Sequence, residues 1–341
     1  MFKRWPEAAG YAAATWSAGY ALLGVTWLLG WNTFPWGRAA EDPLDPGDDR
    51  DFLVLLQAAD AAPAAIALGA AGAVAGLAMA RGFTYARRPL AGFGAAAAVL
   101  LAVIAPDGRA LTVLGYLPML IGGLPFGWPP VDLGEVFTWS LCHQFVLLTG
   151  GLLWGLATLV HVRRGRGACA HCGGAARWTG AQLLRWGRIA AYTGAAIPLL
   201  YAVTRWAWGL GLAVGIGATE LAAMHESGLV WAGVGLATFG AVGAALTLGL
   251  AHRWGEVFPR WIPVLGGRTV PVWPAVAPAA LVTMVLVNAG WRILVGAFVT
   301  VDPSNPMALW PLWGLAVGVA TVAYWLRRRK ECLQCARPAL I

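Results

Sequence analysis

"LWGLATLVHVRRGRGACAHC", Leu153 to Cys172, runs from an apolar stretch into an arginine cluster and then into a Cys-x-x-Cys pair. The same order returns at the end of the chain in "LWGLAVGVATVAYWLRRRKECLQC", Leu312 to Cys335. Both copies open on Leu-Trp-Gly-Leu-Ala, and the run that follows is four residues longer in the second, about one helical turn. A device met twice implies two halves. A long apolar run ahead of each arginine cluster implies a membrane.

Composition points the same way. Of 341 residues 59% are hydrophobic and only 12% charged, where a soluble domain carries about 25% charged residues. That is too little charge to cover a water-facing surface. Several segments exceed the roughly 20 apolar residues that cross a bilayer as a helix. The runs are long and unbroken, whereas a membrane barrel needs short alternating strands. The sequence therefore predicts an all-α, polytopic integral membrane protein. Its first apolar run is too long for a typical signal peptide and reads as a retained helix. Lysine occurs only at Lys3 and Lys330 while Arg, Ala, Gly and Pro abound, a codon pattern expected of a bacterium with a GC-rich genome.

Eight spans are expected, near 11–31, 53–80, 89–106, 136–161, 189–208, 228–251, 272–298 and 309–326. The apolar stretch 110–130 is broken by Pro118, Pro125, Pro129 and Pro130 and is read as a re-entrant or interfacial segment. With eight spans, 19 of the 24 basic residues fall on one side, leaving Arg38, Arg50, Arg109, Arg205 and Arg292 on the other. Basic residues mark the cytoplasmic side, so both termini and both Cys-x-x-Cys pairs are expected in the cytoplasm, at a bacterial inner membrane. The net charge of +8 is then a topology signal and not a nucleic-acid footprint. The acidic loop Arg38 to Asp51 lacks EF-hand spacing and reads as solvated chain.

The doubled device divides the chain into 1–175 and 176–341, each a four-helix repeat ending in an Arg-rich Cys-x-x-Cys segment. Weaker echoes support it: Tyr20–Gly30 resembles Tyr201–Gly211, and Gly108–Tyr116 can be laid on Gly290–Phe298, which places Arg109 beside Arg292. Halves with an even number of spans run parallel, related by an axis along the membrane normal.

Cys169, Cys172, Cys332 and Cys335 are the candidate metal ligands. Two thiolates from one tight turn reach the same ion, and two such pairs complete a tetrahedral zinc site. Such a centre would clamp the two halves together. Redox pairs, an iron–sulfur centre and inert thiols are the alternatives, and His171 can replace one thiolate. Cys142 stands apart and reads as a small apolar filler.

Ionisable groups inside lipid are costly and mark function. Asp60, with Gln57 one turn before it, is placed two turns into the second span and His143 at similar depth in the fourth. Glu220 comes shortly before the sixth span, which His225 and Glu226 head. With Arg109 and Arg292 these form a candidate substrate or ion site on the outer side. The reading that follows is a small-molecule or ion permease with an outward-facing polar cavity and a cytoplasmic four-cysteine zinc clamp. Rival readings are a non-catalytic membrane scaffold or metal/redox sensor, and a membrane-embedded enzyme acting on a lipid-linked substrate. No hydrolase or nucleotide motif occurs, so no catalytic residue is assigned. The loop His252–Arg268 reads as a rigid connector; contact with anionic headgroups or a cytoplasmic protein partner are its rivals.

Overall fold

A computed structural model describes residues 5–37, 55–83, 85–123, 125, 134, 137–173, 180–297, 309–328 and 332. Ten helices organise them: α1 (Trp5–Leu28), α2 (Ala58–Ala80), α3 (Arg87–Val99, extended by a π turn over Leu100–Ile104), α4 (Arg109–Gly123), α5 (Trp139–Gly165), α6 (Gly180–Gly209), α7 (Ala218–Glu226), α8 (Leu229–Gly249), α9 (Val272–Ala297) and α10 (Trp310–Arg328). No strand occurs among the described residues, only one isolated antiparallel bridge from Val257 to Thr269. Five helices, α2, α3, α5, α8 and α9, are long and apolar enough to cross a membrane.

The packing is that of a membrane bundle. Large side chains such as Leu22, Leu68, Val74, Leu200 and Leu246 turn outward, while the buried face of α1 is mostly small, Ala9, Gly10, Ala13, Ser17 and Gly24, beside Pro6 and Trp27. Small residues let backbones approach where lipid supplies no hydrophobic drive between helices. A Cβ at Gly69 of α2 would lie 2.7 Å from the backbone nitrogen of Ala21, and one at Gly76 2.8 Å from that of Ala14.

The chain forms two compact units. The first comprises residues 1–110, 131–175 and 331–337. In it α1 packs on α2 and α5, and α5 packs on α3. Its centre is Trp154, whose indole N–H donates to Ser17 Oγ at 3.2 Å. The second unit comprises 111–130, 176–330 and 338–341. In it α6 packs on α8 and α10, and α10 packs on α9. Numbered within its own unit, each set of four long helices has the same neighbour order, 2–1–4–3.

Segment 110–130 is helical over its first part. Fifteen residues in α4 at 1.5 Å each reach about 22 Å, short of the roughly 30 Å hydrocarbon core. The chain between α8 and α9 folds as a pinned hairpin. Phe258 N–H donates to Arg268 O and Gly267 N–H to Phe258 O, each at 2.9 Å. Tyr324, Arg327 and Arg328 of α10 donate to the carbonyls of Gly255, Leu250, Glu256 and Val270.

Candidate metal centre

Helix α5 ends where Gly167 takes the left-handed conformation (φ 64°) and Ala168 N–H caps the Arg163 carbonyl at 2.9 Å. The chain then turns tightly from Cys169 to Gly173, whose N–H donates to Cys169 O at 2.7 Å and whose φ is 77°. The Arg163 guanidinium folds back and donates to the carbonyls of Ala170 and His171, at 3.1 and 3.2 Å. Two cysteines are thereby presented from one turn. Cys332, also of the first unit, brings a third: its sulfur lies 3.9 Å from that of Cys169, and the three sulfurs lie within 4.8 Å of one another. Zinc–sulfur bonds near 2.3 Å in a tetrahedron put sulfurs about 3.8 Å apart. A disulfide needs about 2.05 Å, and the described cysteines are free thiols. Three cysteines are thus positioned to hold a metal ion. Cys335 lies outside the described residues.

The turn also prepares the ligand chemically. The Cys172 N–H aimed at its sulfur is the main influence holding the Cys169 thiol down to about 6, from a usual value of 9; partial burial opposes it. Help comes from the His171 N–H and from the Cys172 and Cys332 thiols. The thiolate is the form that binds metal.

The other sequence-predicted residues fall into two sets. In the first unit His143 is fully buried on α5. Its Nε2 meets the Tyr20 hydroxyl at 3.1 Å, Trp36 packs edge-on at 4.8 Å, and Nδ1 has no hydrogen-bond partner among the described residues. The next residue, Gln144, donates to Asp107 Oδ2 at 2.8 Å and accepts from Asp107 N–H at 3.0 Å. Asp107 in turn pairs with Arg109 at 3.3 Å. His143 thus sits among Tyr20 and Trp36, while Arg109 joins Gln144 through Asp107. Asp60 sits not two turns into α2 but in its first turn, exposed, where a carboxylate complements the helix dipole.

In the second unit His225 and Glu226 do not head α8. They close the separate helix α7, because Gly228 (φ 75°) breaks the chain between them and α8. His225 Nε2 bonds Trp208 O at 2.8 Å, and Glu220 and Glu226 are exposed. Arg292 is half-buried in α9. Sequence reasoning missed Tyr20, Trp36 and Asp107 as partners of His143 and Gln144. Nothing in their spacing announces contacts more than thirty residues away.

The fold and the site define a helical protein of membrane type with a thiolate cluster fit for a metal. No family model, no curated protein and no solved structure matches the chain.

Proposed function

We propose that the protein is an eight-span bacterial inner-membrane protein with cytoplasmic termini. Two copies of one four-helix unit make it up, and a four-cysteine zinc centre anchors its C-terminal segment. It works as a non-catalytic membrane scaffold responsive to metal or redox state. The gathering of three sulfurs at metal-ligand distances carries this reading. Cys335 is the fourth ligand. Four thiolates leave no open coordination position, so the ion would hold structure and not activate water.

The duplication has further support. Gly155–Cys172 aligns without a gap on Gly318–Cys335, pairing Ala157 with Ala320, Thr158 with Thr321, Arg164 with Arg327 and Cys169 with Cys332. In this register Trp154, Ala157, Val160 and His161 are buried, and so are Val317, Ala320, Ala323 and Tyr324. The repeated Leu-Trp-Gly-Leu-Ala lies one turn out of this register. The ends of α1 and α6 agree too. Trp27 Nε1 donates to Thr33 O and Trp208 Nε1 to Val214 O, at 3.0 and 2.8 Å, and Gly30 and Gly211 are both left-handed.

The test is the metal content of reduced, detergent-purified protein. About one zinc per chain is expected, lost in a Cys332→Ser/Cys335→Ser variant; metal-free protein would end the reading. A permease is the second reading, favoured by the buried His143 and the Gln144–Asp107–Arg109 chain. Potassium-diffusion-driven proton entry into proteoliposomes, lost in Asp107→Asn and His143→Ala variants, would establish it. Tight vesicles would dismiss proton coupling.

A further inference from the structure

We propose that the hairpin between α8 and α9, with the groove at its base, is a binding site for an anionic phospholipid. The proposal rests on α8 and α9 spanning the membrane and is independent of the zinc centre. The groove is a half-open surface depression of about 580 Å³, lined by Arg188 of α6, His252, Arg253 and Trp254, with the Glu256–Arg327 pair on its wall. Arg327 meets Glu256 at 3.0 Å, which neutralises that pair. The His252 ring bonds the Tyr192 hydroxyl at 3.0 Å. Arg188 and Arg253 are exposed and have no acidic partner among the described residues. The groove therefore carries two uncompensated positive charges, which fit a phosphate.

The hairpin supplies the second half of the site. A further groove continues from Arg253 and Trp254 along Phe258, Pro259 and Arg260. At the tip Trp261 is 80% exposed and Val264 83%. Val264 holds a left-handed backbone (φ 67°), a conformation unfavourable for a β-branched residue. Arg328 and Tyr324 of α10 pin the base of the hairpin at Gly255, Glu256 and Val270, and the exposed apolar tip extends beyond these bonds. Exposed Arg260 and Arg268 flank it. The hairpin joins two helices long and apolar enough to span the bilayer; with both in the membrane it would lie at the interface, where lipid is the apolar phase offered to Trp261. A tryptophan at the interface with arginines at headgroup level is the arrangement that recognises an anionic leaflet. Free phosphate would satisfy the arginines and leave the tip unexplained.

The test counts lipid retained by full-length protein through a delipidating detergent wash, after equilibration with phosphatidylglycerol and phosphatidylcholine. Wild type is expected to keep phosphatidylglycerol preferentially. Arg188→Gln/Arg253→Gln should lower that preference about tenfold or more. Arg81→Gln/Arg88→Gln, removing exposed charge from the first unit, should leave it unchanged. Trp261→Ser should lower retention of both lipids alike. Circular dichroism confirms that each variant is folded. Equal retention of the two lipids by folded wild type overturns the proposal. So does displacement of phosphatidylglycerol by inorganic phosphate, or a Trp261 emission component quenched by iodide and not by brominated lipid. Protein that does not partition into membranes would instead remove the spanning reading, so the two failures read differently.

Discussion

At Cys169 the backbone does chemical work that the Cys-x-x-Cys spacing only hints at. Its thiol is held near 6 by N–H groups of its own turn, so it is ionised at neutral pH before any metal arrives. In chelator-treated protein, alkylation of Cys169 by iodoacetamide should be near its maximum at neutral pH. It should fall as the pH drops through about 6, where the sulfur takes up a proton. A profile rising only near 9 would show that the turn does not present these donors. Arg163 holds the same turn from outside by bonding the Ala170 and His171 carbonyls. Arg163→Met should weaken zinc retention against a chelator by about 10- to 100-fold, the usual cost of losing support behind a ligand. Cys169 and Cys172 were legible in the sequence because ligands from one turn must be close in it, and Cys332 because the same motif recurs there. The Asp107–Gln144 contact was not, because it pairs residues on separate elements with no shared motif.

For whole helices, the contact between α1 and α2 turns on which glycines face inward. Gly69 lies against the backbone of Ala21, whereas a Cβ at Gly19 would meet nothing within 4 Å. One substitution should therefore have opposite signs at the two sites. Gly69→Ala should lower thermal stability in detergent, by about 1–3 kcal/mol for overpacking against backbone. Gly19→Ala should be neutral or stabilising by up to about 1 kcal/mol through helix propensity. Equal effects at both sites would mean that the helices do not approach through this face. Long helices were readable from unbroken apolar runs, but their ends were less so. The boundary between α7 and α8 depends on Gly228 adopting a left-handed turn inside a stretch that reads as continuous. Likewise Arg327 and Arg328 read as topology charges, yet they bond the carbonyls of a hairpin some sixty to eighty residues earlier. Periodicity carries no trace of that.

On the scale of the whole chain, one arrangement of four helices recurs, and with it the arginine cluster and cysteine pair that end each set. In the proposed eight-span arrangement both clusters would fall on the same side of the membrane, and the basic bias would make that side cytoplasmic. Helix α8 offers a direct check of orientation. Its 21 residues cover about 32 Å at 1.5 Å each, enough for the roughly 30 Å core. Ser227 precedes it and Thr269 lies in the hairpin that follows it, both exposed. A membrane-impermeant maleimide applied to intact cells should label a Ser227→Cys variant above the background of the native cysteines. A Thr269→Cys variant should react only after permeabilisation. The reverse pattern would invert the protein and put both cysteine pairs outside, where an oxidising environment favours disulfides over a thiolate zinc centre. Labelling of both in intact cells would mean that α8 does not cross, and the eight-span arrangement would fall with it.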